Sequence, residues 1–228
     1  MTDRTRSAYD QWARTYDTSP NPHTFLEFVD VLATLDPQPD ETILDAACGT
    51  GRYTSVLAER VARVAGLDFS SKMLRIASER SPDVDFRIGD LRERLPFTDA
   101  AFDAVLCAQA LKHIASLGPT MSEFARVLRP GGRVVFSVTH PDMSWDGYDV
   151  RERGAFVLDE HADIWHHRMV DYLEAIRAAG LFLECTVTVV VSERIRHMLT
   201  EQSFRVVAGR AQILIVRARR ARDGGRGR

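Results

Sequence analysis

The sequence predicts an α/β fold, a doubly wound sheet with helices on both faces. Three observations carry that expectation: short β-branched runs alternate with stretches of helical period, a glycine-containing turn joins the first run directly to a helix, and an acid closes each of the first three runs. At 228 residues the chain suffices for one sizeable core and a single domain.

Taken in order, strand-like runs occupy 42–47, 62–68, 84–90, 102–109, 132–139, 183–192 and 211–219. Helical period falls at Arg52 to Arg60, at Ser71 to Glu79 behind Ser70 or Ser71 as N-cap, and at Leu117 to Leu128, stopped by "RPGG". Strands joined through crossover helices run parallel and are covered on both faces. The last third loses this rhythm. Pro141 to His167 shows no clear period before a helix at about Arg168 to Ala179, ended by Gly180. Trp145, Tyr148, Phe156 and Trp165 lie in that stretch, which reads as a lid or ligand-side insertion; a plain helical flap over the sheet is the alternative.

With 30 basic and 32 acidic residues the net charge is −2, so the chain as a whole is not built to grip a polyanion. Cys48, Cys107 and Cys185 are far apart and form no CxxC pair, which speaks against a disulfide framework or a zinc site and for a reducing, cytoplasmic setting. The opening "MTDRTRSAYDQWARTYD" has no apolar leader core, and no apolar run approaches the roughly 20 residues that span a bilayer. A soluble protein is expected, without a membrane partner.

The turn "AACGTG" between the first strand and its helix is the strongest local signal. Gly49 and Gly51 let the backbone turn tightly and let a ligand lie against it, while the following helix N-terminus offers unpaired N–H groups. A dinucleotide loop would read GxGxxG, yet Thr54 stands where the third glycine belongs. Asp68 ends the second strand 23 residues after Asp45, where a carboxylate can accept from ribose hydroxyls, and Asp90 ends the third 22 residues later, where an acceptor can meet a base amine.

In this order and spacing, "ILDAACGTGRYT", "GLDFSSKML", "IGDLRERLPF", "FDAVLCAQALKHI" and "LRPGGRVVFSV" resemble the successive motifs of class I S-adenosylmethionine-dependent methyltransferases. The resemblance is close from Tyr9 to Val138 and architectural beyond. It implies a Rossmann-like seven-stranded sheet of order 3-2-1-4-5-7-6 with the seventh strand antiparallel, and S-adenosyl-L-methionine laid across strands 1, 2 and 3. Position by position, it implies that Asp45, Ala47, Gly49 and Gly51 hold the methionine half, and Asp68 the ribose. Phe69 joins them in the cofactor set, Asp90 and the Leu91 backbone flank the adenine, and Gln109 sits beside the methionine moiety. Ala47 stands where many members have glycine, a departure of one methyl. "YDQWARTYD" resembles the segment that precedes the core in many members, making Tyr16, and after it Tyr9, a cofactor lid; an amphipathic helix burying Tyr9, Trp12, Ala13 and Tyr16 accounts for the same spacing.

The domain plan is then an N-terminal helical cap (1–36), a cofactor-binding core (37–139), a substrate-side insertion and helix (140–180), the last strands (181–219) and a basic mobile tail (220–228). The cofactor's sulfonium makes its methyl electrophilic, so the protein supplies placement, and a base where the acceptor's proton must leave. His113, His140 and His167 are the candidate bases, with His166 and Arg168 beside the last and Lys112 beside the first. "LCAQALKH" offers no carboxylate near the end of strand 4, so no metal is expected.

"CAQA" replaces the Asn-Pro-Pro-Tyr type of signature found after strand 4 in enzymes acting on DNA bases or amides, and arginine-rich ends such as "RARRARDGGRGR" are commonly solvated tails. The expected partner is therefore a small-molecule methyl acceptor, phenolic, enolic or quinone-like, rather than nucleic acid. A homodimer stays open, as does O-, N- or C-methylation. The competing readings are an NAD-dependent Rossmann oxidoreductase and a non-catalytic adenosylmethionine-binding module.

Overall fold

The computed structural model describes residues 2–19, 21–141 and 162–222. Trp145, Tyr148 and Phe156 of the expected insertion, and the tail from 223 on, lie outside the described residues. The elements are α1 (Asp3–Trp12), α2 (Pro22–Leu35), β1 (Thr42–Ala46), α3 (Arg52–Ala58), β2 (Arg63–Asp68), α4 (Ser71–Arg80), β3 (Asp85–Ile88) and β4 (Phe102–Ala108). After them come α5 (Leu117–Val127), β5 (Leu128–Thr139), α6 (Met169–Ala178), β6 (Leu181–Val190), α7 (Glu201–Val207) and β7 (Ala211–Arg220).

The seven strands form one sheet in the order β3-β2-β1-β4-β5-β7-β6. β1 runs parallel to β2 and β4, and β7 runs antiparallel to β5 and β6. Strand order thus reverses between β1 and β4, and their carboxyl ends open a crevice there. β5 starts at Leu128, four residues before the expected 132, because Leu128 already pairs with Phe102 through an irregular register.

Each face of the sheet has its own core. On one, Leu44, Leu67, Val105, Phe124, Phe136 and Leu214 pack with α5 and α6; on the other, Ile43, Leu106, Val135 and Ile215 pack under Leu26, Val31, Leu32 and Leu35 of α2. The helix starts are locally encoded. Asn21 accepts from the His23 and Thr24 amides ahead of Pro22, and Ser70 accepts from Met73.

One buried cation fixes the far end of α2. Arg133 on β5, 5% exposed, donates to the Leu35 and Asp36 carbonyls and pairs with both carboxylate oxygens of Glu41 at 2.5 and 2.7 Å. Removing it strands Glu41 and two carbonyls in a poorly hydrated place. Arg133→Ala is expected to lose about 3 kcal/mol in urea unfolding; a loss within 0.5 kcal/mol, the range about usual for surface changes, contradicts the anchoring role.

Candidate active site

The chain leaves β1 through a turn with three left-handed residues in five: Ala47 at φ 67°, Gly49 at 56° and Gly51 at 77°. An alanine there costs roughly 1–2 kcal/mol, so the missing glycine at position 47 strains the backbone besides adding a methyl. Two hydrogen bonds hold the strained residue, Ala47 N and Cys48 N both donating to the Leu67 carbonyl of β2, at 2.7 and 2.9 Å. A Cβ at Gly51 would lie 3.1 Å from the Ala77 Cβ, whereas one at Gly49 would meet nothing within 4 Å. Gly51 is therefore required by packing and Gly49 by conformation, with open space before it.

The acids of the sheet edge divide by environment. Asp45 is buried and accepts from Thr54 Oγ1 at 2.5 Å; burial pushes its carboxyl up to about 6 against the pull of that bond. Asp68, also buried, accepts from Gly49 N through one oxygen and Ser70 N through the other, both at 2.9 Å, and burial raises it to about 6 in spite of these backbone donors. With the Phe69 amide as a third backbone donor, the carboxylate keeps one lone pair for a further donor. Asp90 differs: burial works upward, but hydrogen bonds from Arg92 outweigh it and hold the carboxyl at about 2. Arg92 thus engages both Asp90 oxygens. Leu91 is buried, its carbonyl accepting from Thr120 at 2.9 Å.

The N-terminal segment closes over this edge through its own acids. Asp10 accepts from Ser70 Oγ at 2.5 Å, while Asp17 accepts from Thr50 Oγ1 in the glycine turn at 2.8 Å and pairs with Arg80. Tyr9 packs edge-on against Phe69 with centroids 6.0 Å apart, and Tyr16 lies 4.6 Å from Trp12. Burial lifts both phenols, Tyr16 to about 12. The amphipathic-helix account holds for Trp12 and Ala13, which are buried, while Tyr9 and Tyr16 are half-buried between cap and site.

At the end of β4 the structure assembles a cluster that the sequence reading missed. Gln109, left-handed at φ 56°, donates from Nε2 to Glu27 Oε2 at 2.9 Å. Glu27 is fully buried on α2, and Arg52 Nη2, from the first residue of α3, stands 3.8 Å from its Oε1. Burial raises the Glu27 carboxyl, opposed by hydrogen bonds from Ser137 and Gln109 and by the charges of Arg52 and Lys112. Glu27 Oε1, Gln109 Oε1 and the Tyr53 hydroxyl are three of four buried side-chain polar atoms without a hydrogen bond among the described residues. The available signal was the spacing of Thr24, Glu27, Val31 and Leu35, which sets an acid on the buried stripe of α2.

The candidate histidines are not brought together. His113, 1% exposed, has both ring nitrogens engaged: Nδ1 lies 2.7 Å from the Asp163 carbonyl and so donates, and Nε2, 3.0 Å from Tyr9 Oη, accepts. Burial, then Lys112, lowers it to about 4. His167 donates from Nε2 to the Ile114 carbonyl at 2.7 Å and meets Tyr172 edge-on. His140 lies at the end of β5 with Nε2 3.3 Å from Thr188 Oγ1, and His166 is exposed beside Arg168, which pairs with Asp171 at the start of α6. The Trp165 amide donates to the Lys112 carbonyl at 2.7 Å, docking the end of the expected insertion beside β4. Among the described residues no helix is long and apolar enough to cross a membrane.

A seven-stranded sheet of this order, with a glycine turn at its switch point and acids closing β1, β2 and β3, has the architecture of a nucleoside-binding α/β domain. Residues 44–136 match the family described as a methyltransferase domain. The chain is 42% identical over 106 residues to the demethylmenaquinone methyltransferase of Beutenbergia cavernae, covering 45% of this chain and 44% of that protein. It is 34% identical over 148 residues to a probable S-adenosylmethionine-dependent methyltransferase of Mycolicibacterium smegmatis, covering 61% and 56%. The chain thus spans about half the length of the curated relatives it matches. A solved S-adenosylmethionine-dependent methyltransferase from Mesorhizobium loti shares the fold at a TM-score of 0.71 and 24% identity, over 86% of this chain and 98% of that one. In sequence and in fold the chain is thus similar to S-adenosylmethionine-dependent methyltransferases, with the methyltransferase match confined to residues 44–136.

His113 makes the site sensitive to acid. Its folded pKa of about 4 lies below the unfolded value near 6.5, so its neutral form is native. Stability from this group is full above pH 6.5 and is lost as pH falls toward 4, because the unfolded chain takes the proton first. Replacing His113 by Gln is expected to cost on the order of 2 kcal/mol less at pH 5 than at pH 7 in paired urea titrations. A difference that does not shrink contradicts a buried neutral ring.

Proposed function

We propose that the protein transfers a methyl group from S-adenosylmethionine to a small-molecule acceptor, a phenolic, enolic or quinone-like compound, in a cytoplasmic setting. The observation that carries this reading is the open space before Gly49, at positive φ, beside a buried Asp68 that can still accept from a further donor. The residues present fit the cofactor. Asp45, Ala47, Gly49, Gly51 and Gln109 serve its methionine end, Asp68 its ribose, Phe69, Asp90 and Leu91 its base, and Tyr16 covers it. When bound, S-adenosylmethionine supplies an electrophilic methyl on a positively charged sulfur.

The chain's own contribution is placement and charge. Asp45, Asp68 and Glu27 are buried acids along one edge, a setting that favours a cationic ligand. Aligning an acceptor with the reacting carbon is worth about 7–11 kcal/mol in favourable cases. Relatives named for demethylmenaquinone support a quinone-like ring as one acceptor class.

Calorimetric titration is expected to show binding of S-adenosylmethionine and none of NAD. Gly49→Ala is expected to weaken the former at least tenfold, about 1.4 kcal/mol, while costing the fold about 1 kcal/mol for its left-handed alanine. Methyl transfer is then read by mass spectrometry over phenols, enols, hydroquinones and amines. NAD binding alone overturns the proposal, and tight S-adenosylmethionine binding with no methylated product reduces the protein to a binding module.

A further inference from the structure

Resting on that reading, we propose that Glu27 is a catalytic residue of this site: its Oε1, steadied by Gln109, takes the hydrogen bond and then the proton of a hydroxyl on the methyl acceptor. Glu27 is fully buried, yet Oε1 makes no hydrogen bond. Leaving such an atom unsatisfied costs about 1–3 kcal/mol, more when charged. Natural sites keep an orphan of that kind where a ligand completes it.

Position supports the role. Gln109 ends β4, the strand beside β1, and Arg52 begins α3 directly after Gly51, so Oε1 stands between the glycine turn and the end of β4. Gln109 Oε1 also makes no hydrogen bond. The Tyr53 hydroxyl, a donor as well as an acceptor, interacts with the Glu27 carboxyl without closing a full hydrogen bond to it, so the two acceptor oxygens can take a further donor such as a ligand hydroxyl. Of the histidines expected to act as base, His113 uses both ring nitrogens and His167 Nε2 is tied to the Ile114 carbonyl.

In the transfer, Glu27 takes the hydroxyl proton as the acceptor oxygen bonds the methyl carbon and the carbon–sulfur bond breaks, its electron pair going to sulfur. The carboxylate becomes a neutral carboxyl, the sulfonium a neutral thioether, and charge is conserved. The titratable and charged groups around Glu27 are Arg52 and Tyr53 of α3, Lys112 after β4 and Tyr16 of the cap, while β5 presents Ser137, which does not titrate; one turn back on α2, His23 is lowered to about 4 by burial and lies 3.4 Å from Gln212 of β7. On the 3-10 turn Glu193–Met198, Arg194 is paired with Asp30, one turn further along α2. The charges of Arg52 and Lys112 favour the carboxylate and burial opposes it, with burial the larger, so the Glu27 carboxyl is raised and is a stronger base than a surface glutamate.

The test compares wild type with Glu27→Gln, which keeps the shape and the Gln109 contact, and with Gln109→Ala as a second variant. With the hydroxylated compound that turns over in the screen above, Glu27→Gln is expected to lose 10²- to 10⁴-fold in kcat, to lose the acidic limb of the pH profile, and to bind S-adenosylmethionine within threefold of wild type by calorimetry. Carbon-13 labelling of glutamate is expected to show a carboxyl signal, absent from the variant, that titrates above the usual range and shifts when that compound is added to the S-adenosylhomocysteine complex. Gln109→Ala, which leaves the carboxylate in place, is expected to retain the limb at a reduced rate.

Unchanged turnover and pH profile in Glu27→Gln overturn the proposal. So does a parallel loss of cofactor affinity, which assigns Glu27 to cofactor binding, or a screen in which only amines are methylated. Failure of wild type to bind S-adenosylmethionine sinks the broader reading instead, and calorimetry separates that outcome from the others.

Discussion

The turn from β1 into α3 is the constraint on which the site depends. Ala47, Gly49 and Gly51 are left-handed within five residues, and the end of β2 takes three amides of the turn, Leu67 accepting those of Ala47 and Cys48 through its carbonyl and Asp68 that of Gly49, while Gly51 N donates to the Cys48 carbonyl. The strain is thus held by hydrogen bonds rather than relaxed by the turn itself. Because α3 starts immediately after Gly51, the same turn sets the height of Thr54 over Asp45 and the reach of Arg52 toward Glu27. An error of one residue here would detach the glycine loop from the acids and Arg52 from Glu27.

Charge follows from that geometry. Asp45 and Asp68 are each held near 6 by burial, and each raises the pKa of other groups along the edge. Ionised carboxylates crowded in a low-dielectric crevice repel one another, and a bound cation relieves the repulsion while lowering their pKa values. Cation binding and proton release are therefore linked at this edge. Asp90, with its guanidinium partner, stands outside the linkage and stays ionised across the physiological range.

The alternation of strands and helices was legible because local period reports burial, and it placed every strand within a few residues. The sheet order came from the resemblance of five motifs, since period says nothing about which strands neighbour each other. Less was legible in "SERIRHMLTEQSFRVVAG", which folds into a 3-10 turn and α7. It is rich in charge, yet Ile195, Phe204 and Val207 bury while Arg196 bridges Glu193 and Glu201. The candidate cofactor residues from Asp45 to Leu91 fall in short motifs, each readable by itself. His113 depends on Tyr9, 104 positions away, and Gln109 on Glu27, 82 away, so no window along the chain shows that one is satisfied and the other not.

The two helices before β1 differ in how firmly they are held, and this bears on how ligands reach the crevice. α2 packs a full apolar stripe on the sheet and has its far end clamped by Arg133, so it moves only with the core. The segment ahead of it buries Ala8, Trp12 and Ala13, but its ties to the cleft are side-chain hydrogen bonds: Asp10 to Ser70, Asp17 to Thr50, Tyr9 to His113 and Thr2 to Asp163. Such bonds contribute about 0.5–1.5 kcal/mol each when exchanged for water, less than a packed helix face. Local opening draws on the least buried contacts first. The cap therefore opens at lower cost than α2, and Glu27 keeps its place at the crevice whether the cap is closed or open.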